Sequence, residues 1–311
     1  MVVVGEIEVT LMNASTTLMV LCATFLPGAF GQGAITGLGY HYQSTTVAPG
    51  QLISVFVAGS VTGDVSVSQS GRPVPVLGMS SSASCLNLNA CSPMTAITIQ
   101  IPYEIEPYCV FTNPQCEVRE LAQLTLSVNG IAETPINLNP VADQIHILTA
   151  CDTVVPGGTE SPAQYSGLPC EPLVAHADGS LVTAASPAQT GEEVVAYAAG
   201  LGITVPAVGT GEAATTATPT YETFLLDFNF RPNALATEPL QPTTPGLPPA
   251  GSNVPLYSGL VPGEVGLYQI NFTVPTPPAS IQPCSGAVQS NLTVSVGGLA
   301  SFDGAGICVA E

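Results

Sequence analysis

The chain has no tryptophan and no lysine, and its only cations besides three histidines are Arg72, Arg119 and Arg231. Against them stand 22 acidic residues, a formal charge of −19. Phosphate backbones and anionic membrane surfaces are bound through Lys/Arg neutralisation, so nucleic acid and acidic membranes are excluded as partners. The acidity suits the solubility of an exported protein; acidic surroundings and divalent cations are the alternatives it leaves open. Aromatics make up 6% of the residues, so any core must be built from Val, Ile, Leu and Ala. No helix-period apolar stripe runs beyond about two turns, which excludes a helical fold. Signatures of chemistry are missing too: no G-x-S-x-G elbow, H-E-x-x-H, phosphate loop, dinucleotide-binding turn or D-x-[DN]-x-[DN]-G calcium loop. The expectation is a protein without catalytic residues, cofactor or metal.

What is abundant is Gly (31) and Pro (29), scattered evenly, as many short strands joined by turns require. A length of 311 residues allows two cores. Near the N-terminus, 17-TLMVLCATFLPGAFGQ-32 holds an apolar run too short to span a bilayer but suited to a leader cut after Ala29-Phe30-Gly31. Residues 1–31 are therefore expected to be a signal peptide, although no basic residue precedes the run. The alternative is that 3-VVGEIEVTL-11 is a retained strand. Removing the leader takes Cys22 with it and leaves Cys85, Cys91, Cys109, Cys116, Cys151, Cys170, Cys284 and Cys308. An even set of this kind predicts a disulfide framework in an oxidising compartment, with sequential pairs 85–91, 109–116, 151–170 and 284–308 suggested by spacing.

Three segments recur in the same order. The stretch 47-VAPGQLISVFVAGSV-61 is echoed by 188-AQTGEEVVAYAAGLG-202, and 97-ITIQIPYEIEP-107 by 268-YQINFTVPTPP-278. The third pair is 122-AQLTLSVNGIAETPINL-138 and 290-SNLTVSVGGLASFDGAG-306. Asn129-Gly130 and Gly297-Gly298 sit between alternating runs and predict hairpins. Leu124, Leu126, Val128 and Leu292, Val294, Val296 are the expected core faces, with Thr125, Ser127, Thr293 and Ser295 facing outward or toward a neighbouring strand. Tyr268, Ile270, Phe272 and Val274 should form the inner face of one core strand, ended by Pro275. The fold class expected is all-β, as two tandem immunoglobulin-like β-sandwich domains: module one at 40–149, a disulfide-closed linker at 150–171, and module two at 172–311. Module two carries a Pro-rich insertion at 239–255, read as a stiff exposed loop.

Residues 186-SPAQTGEEVVAYAAGLG-202, 256-LYSGLVPGEVGLYQINFTVP-275 and 291-NLTVSVGG-298 closely resemble the uncharacterised C-terminal domain family of Solibacter-type acidobacterial proteins. The match covers most of module two outside its insertion, and module one is similar to a more divergent copy through APGQLISVF and ITIQIPYEI. The resemblance implies modules of the IPT/TIG immunoglobulin-like class at the ends of exported proteins. It supplies no activity or ligand residues, and the cysteines and the Pro-rich insertion depart from its pattern.

Two sets of residues carry candidate chemistry. His146, Cys151, Cys170 and His176 have the composition of a Cys₂His₂ zinc site, which a disulfide would pre-empt in an oxidising compartment. Glu104 and Glu106 share a strand face at about 7 Å, beside Tyr103 and Tyr108, a pattern that hints at a sugar-binding or glycosidase-like surface, although a solvated strand end before Pro107 is the plainer reading. Asp178-Gly179 reads as a turn, and the Asn271 and Asn291 sequons fall in expected strands. The function expected is that of a non-catalytic structural protein, secreted or at the cell surface, assembling into a filament, sheath or surface layer through strand-edge contacts between identical copies. The alternative is a monomeric adhesion or glycan-binding module using Tyr103 and Tyr108. No membrane span is expected in the mature form.

Overall fold

Alternating apolar residues and frequent Gly/Pro turns favour short strands, and strands are the regular elements found among the described residues. The computed structural model describes residues 35–40, 44–87, 90–105, 109–112, 115–118, 122–155, 170–240, 248 and 252–310; side chains of 81–91 and of 109–118 are outside that description. The expected leader, Glu106, Tyr108 and most of the Pro-rich insertion also lie outside it. All the regular structure among the described residues is β, and no helix there is long and apolar enough to cross a membrane. Gln32–Glu311 forms one compact unit.

The first half supplies β1 (Ile35–Gly39), β2 (Thr46–Val47), β3 (Leu52–Ala58), β4 (Val65–Gln69), β5 (Arg72–Val74), β6 (Val76–Asn87) and β7 (Ala90–Gln100). It continues with β8 (Cys109–Thr112), β9 (Gln115–Val118), β10 (Ala122–Val128), β11 (Ile131–Ala132) and β12 (Ile136–Pro140). One sheet has the order β1-β3-β7-β6 and the other β2-β12-β10-β4-β5, with β8 and β9 forming a separate hairpin. Between the two larger sheets lies a core that includes Ile53, Val55, Val57, Ile97, Ile99, Leu124, Leu126 and Leu138, each fully or nearly fully buried.

The second half supplies β13 (His146–Ile147), β14 (Val174–Ala175), β15 (Glu193–Ala199), β16 (Thr218–Pro219), β17 (Leu225–Asn229), β18 (Tyr257–Leu260), β19 (Tyr268–Thr273), β20 (Leu292–Gly297) and β21 (Phe302–Ile307). Its sheets have the orders β13-β15-β19-β18-β16 and β17-β20-β21, with β14 also on β15. Tyr268, Ile270, Phe272 and Val274 all lie in its core with Leu292, Val294 and Val296. The succession β3-β7-β6 with β12-β10-β4 repeats as β15-β19-β18 with β21-β20-β17. Even the minor parallel contact repeats: Val47 bridges Pro140, and Ala188, its counterpart in the sequence repeat, bridges Val309.

The stretch expected as a linker has a different role. The chain crosses between sandwiches at 141–144, where the Val141 amide donates to Val47 and the Gln144 amide to Gly200. His146–Ile147 is then already paired with Ala198 and Ala199 of the second sheet. Residues beyond it leave that sheet, Thr149 bridges Pro172, and Val174–Ala175 returns to the same neighbour β15. The excursion is closed at its base by the Cys151–Cys170 disulfide, and Cys284–Cys308 ties a loop to the end of β21. Backbone register sets Cys85 opposite Cys91 across β6 and β7.

The two sandwiches stack through their β3- and β15-bearing sheets. Residues 52–57 of β3 are buried on both faces, which is why LISVFV is a continuous apolar run broken only by Ser54. Leu173, Tyr197 and Leu267 pack against the first core from the second half, while the Ser54 and Thr153 hydroxyls meet at 2.6 Å.

Candidate functional site

Where the sandwiches meet, the chain leaving β7 makes a tight turn at 102–105 and opens a largely apolar cleft with three charged side chains, Arg72, Glu104 and Glu222, on its lining. Its walls are Pro49, Arg72, Tyr103, Glu104, Ile105 and Ala142 on one side and Ile203, Tyr221 and Glu222 on the other, enclosing about 470 Å³. The turn is clamped across the junction: the Tyr103 amide donates to Thr210 Oγ1 (2.9 Å), whose hydroxyl donates to Glu104 Oε2 (2.7 Å). Beside it the Gly211 amide donates to the buried Gln100 side chain at 2.7 Å.

Tyr103 is placed differently from an exposed platform. Its ring lies where any Cβ on Gly50 would collide with it, and Gly50 has φ +73°. The phenol reaches inward to the Tyr268 hydroxyl (3.2 Å), which itself donates to the Gly202 carbonyl at 2.5 Å. Burial raises the Tyr103 pKa above its ordinary value, with the Tyr268 hydrogen bond pulling the other way. The aromatic that does stand free is Tyr221, 63% exposed on the opposite wall. It follows a two-residue strand, so alternation gives no hint of it. Glu222 beside it is half-buried, and burial followed by the nearby Asp143 charge raises its pKa.

The two candidate histidines sit in separate clusters. His146 is buried and stacked on Tyr40, ring centroids 3.8 Å apart. Its Nε2 lies 2.9 Å from Asp152 and its Nδ1 3.4 Å from Asp303. Burial pushes its pKa down, but the hydrogen bonds and charges of Asp152 and Asp303 outweigh that and lift it to about 9. Asp152 also accepts from the Thr149 amide and hydroxyl, so the cluster pins the start of the disulfide loop. Cys151 and Cys170 are joined to each other in the expected disulfide, and His176 faces another partner, so the four residues of the candidate zinc set do not converge. Among the described residues no three His, Cys, Asp or Glu side chains are arranged to hold a metal ion.

His176 takes part in an arrangement the sequence did not announce. Its Nδ1 is 2.6 Å from Glu192 Oε1, and its Nε2 is 3.3 Å from Ser186 Oγ. The connectivity is that of a Ser-His-acid triad. The chemistry differs, because Nε2 is also 3.1 Å from the Ser186 carbonyl, an acceptor that only a protonated Nε2 satisfies. Hydrogen bonding to Glu192 raises the His176 pKa, favouring the doubly protonated ring. A ring nitrogen that already donates its proton to a carbonyl cannot remove the Ser186 proton. This is a surface clasp that fixes the 176–192 turn.

Asp143, fully buried, is a third cluster. Its carboxylate accepts from the amides of Leu299, Ala300 and Ser301 and from the Ser301 hydroxyl, at 2.7–2.9 Å. The Ile145 amide donates to Ser301 Oγ and the Ile147 amide to Asp303. The chain entering the second sandwich is thus sewn to that sandwich's last hairpin. Compared with known proteins, the chain matches no family model and no curated relative.

Proposed function

We propose that the protein is a non-catalytic, exported structural protein, a rigid pair of IPT/TIG-like sandwiches that associates with copies of itself through strand edges. The carrying observation is β6. It is the outer strand of its sheet, runs over twelve residues, and exposes Leu77 and Met79, 43% and 51% accessible. From Val76 to Gln100 there is no charged residue at all, in a chain with 22 acids. Natural sheets blunt such edges with charge, proline, brevity or bulges; β6 has no charge, proline or brevity, and its register irregularities are confined to its two ends, at Val76/Gly78 and Cys85/Asn87.

Among the described residues no third strand pairs with β7 beyond the Met94–Ala58 pair, and β6 and β7 continue as a two-stranded ribbon to Asn87 and Ala90. An isolated two-stranded ribbon is marginal in water and gains from a partner strand. Two copies could pair along these uncharged edges without the repulsion that −19 per chain imposes elsewhere. Export is supported by the disulfides at 151–170 and 284–308, which persist in oxidising compartments.

The test is light scattering with negative-stain microscopy on oxidised, secreted protein and on Met79→Lys. Regular polymers that Met79→Lys dissolves are the expected result. A wild-type monomer over a wide concentration range overturns the reading. The adhesion alternative draws support from the cleft, taken up next.

A further inference from the structure

We infer that the cleft between the sandwiches is a binding site for a neutral saccharide, gripped by Arg72, Glu222 and Glu104 and covered on one side by Tyr221. The inference does not depend on self-assembly.

Arg72 is one of three arginines in the whole chain, and among the described residues its guanidinium makes no hydrogen bond or ion pair. Glu222, half-buried, likewise has no side-chain partner there. A carboxylate held partly out of water without a partner is costly, and such groups concentrate at binding sites. These two opposite charges line one cleft without pairing with each other, which leaves both free for a ligand placed between them. Glu104 is held by Thr210 through one oxygen only, so the other remains available.

The chemistry selects the class of occupant. Two carboxylates in a strongly acidic chain disfavour an anion, and Arg72 disfavours a simple cation. Sugar hydroxyls donate to carboxylates and accept from a guanidinium at once. A pyranose also presents a C–H face that suits the Tyr221 ring and the Ile203 side chain, both exposed on the same wall. The volume of about 470 Å³ lies within the range of small-molecule sites. The clamped turn, with Thr210 and Gly211 holding Tyr103, Glu104 and Gln100, means that the walls are set before the ligand arrives.

The experiment is saturation-transfer NMR with cellotetraose, maltotetraose and tetra-N-acetylchitotetraose, backed by intrinsic fluorescence. Because the chain has no tryptophan, that fluorescence reports tyrosines alone. Transfer to at least one oligosaccharide is expected, with binding weakened roughly tenfold or more in Tyr221→Ala and in Arg72→Gln. Both are surface positions whose replacement leaves the cores intact. Glu238→Gln, away from the cleft, should bind as wild type does. No transfer from any of the three, binding unchanged in both cleft variants, or equal transfer to free glycine would each overturn the inference. Light scattering on the same samples reads the assembly separately, so failure of one reading is not mistaken for failure of the other.

Discussion

The two sandwiches solve the same packing problem with different local devices. Both begin their central strand after a glycine at positive φ, Gly50 at 73° and Gly191 at 80°, and leave it through another, Gly59 and Gly200, both at 78°. Their last hairpins differ more. In the first, Gly130 has φ +79° and nothing within 4 Å of where a side chain would go, so glycine is there for backbone freedom. In the second, a Cβ on Gly298 would lie 2.6 Å from the Asp143 carboxylate, so glycine is there for room. The same letter in aligned positions answers two constraints. The first hairpin is tied by neutral groups to the loop before β4: Asn129 Oδ1 accepts from the Asp64 amide and its Nδ2 donates to the Thr62 carbonyl. The second depends on a charge delivered by the chain that connects the sandwiches.

The largest expected effect breaks that contrast at its source. Asp143→Ala strands three amides and a hydroxyl, and should lower stability on the order of 4 kcal/mol in chemical denaturation. Gly298→Ala should cost about 2 kcal/mol by pushing the carboxylate aside. Gly130→Ala should cost about 1 kcal/mol through strain alone. Equal losses at the two glycines would show that the hairpins are not held differently.

The disulfide that closes the edge-strand excursion has no counterpart at β1 among the described residues, where a single strand pairs with β3 from Ile35 to Gly39. Replacing Cys151 and Cys170 by alanine frees a loop of 19 residues and should cost about 3 kcal/mol. Hydrogen exchange should show the loss concentrated at β13 and β14 rather than at β1. Uniform loss of protection over both sandwiches would mean that they unfold as one cooperative body.

His146 joins the two halves, since Tyr40 packs in the first core while Asp152 and Asp303 belong to the second. Its folded pKa, about 9, lies above the unfolded value near 6.5. The bound proton therefore stabilises the fold fully below about pH 6.5, and that contribution disappears as pH rises through about 9. The shift corresponds to roughly 3 kcal/mol at most. Urea midpoints should fall between about pH 7 and pH 10 in the wild type, and the slope should flatten in His146→Gln. An unchanged slope in the variant would remove His146 as the source.

Much of this architecture could be read from periodicity. Leu124, Leu126, Val128, Leu292, Val294 and Val296 face the cores as alternation requires, and the three repeated segments became β3/β15, β7/β19 and β10/β20. Their order in the sheets was not legible, because it is fixed by pairing between distant strands. Thr293 and Ser295 show the limit. Alternation turns them away from the core, yet both are buried, since the 233–237 segment folds over β20 and takes Thr293 to Ala234 (2.6 Å) and the Thr237 amide to Ser295 (3.0 Å). The stretch 150–171 looks like a linker in the sequence for the same reason: nothing local says that the chain pairs with β15 on both sides of it. Tyr221 and Glu222 were missed because an irregular segment has no period to read.

The smallest effect tests the resemblance between the His176 clasp and a catalytic triad. The first sandwich has no histidine in the turn before β3, so the clasp belongs to one copy only and cannot be a requirement of the fold. With His176 and Glu192 13% and 22% exposed, the pair is expected to contribute about 0.5–1 kcal/mol. Ser186→Ala should change stability by less than His176→Ala, because the Ser186 carbonyl, which survives the substitution, is the closer partner of Nε2. A fluorophosphonate probe should leave Ser186 unlabelled at neutral pH, since the Nε2 that would accept its proton already donates one to the Ser186 carbonyl. Labelling that appears in the wild type and vanishes in His176→Ala would convert the clasp into a working nucleophile, and would also refute the non-catalytic reading of the second sandwich.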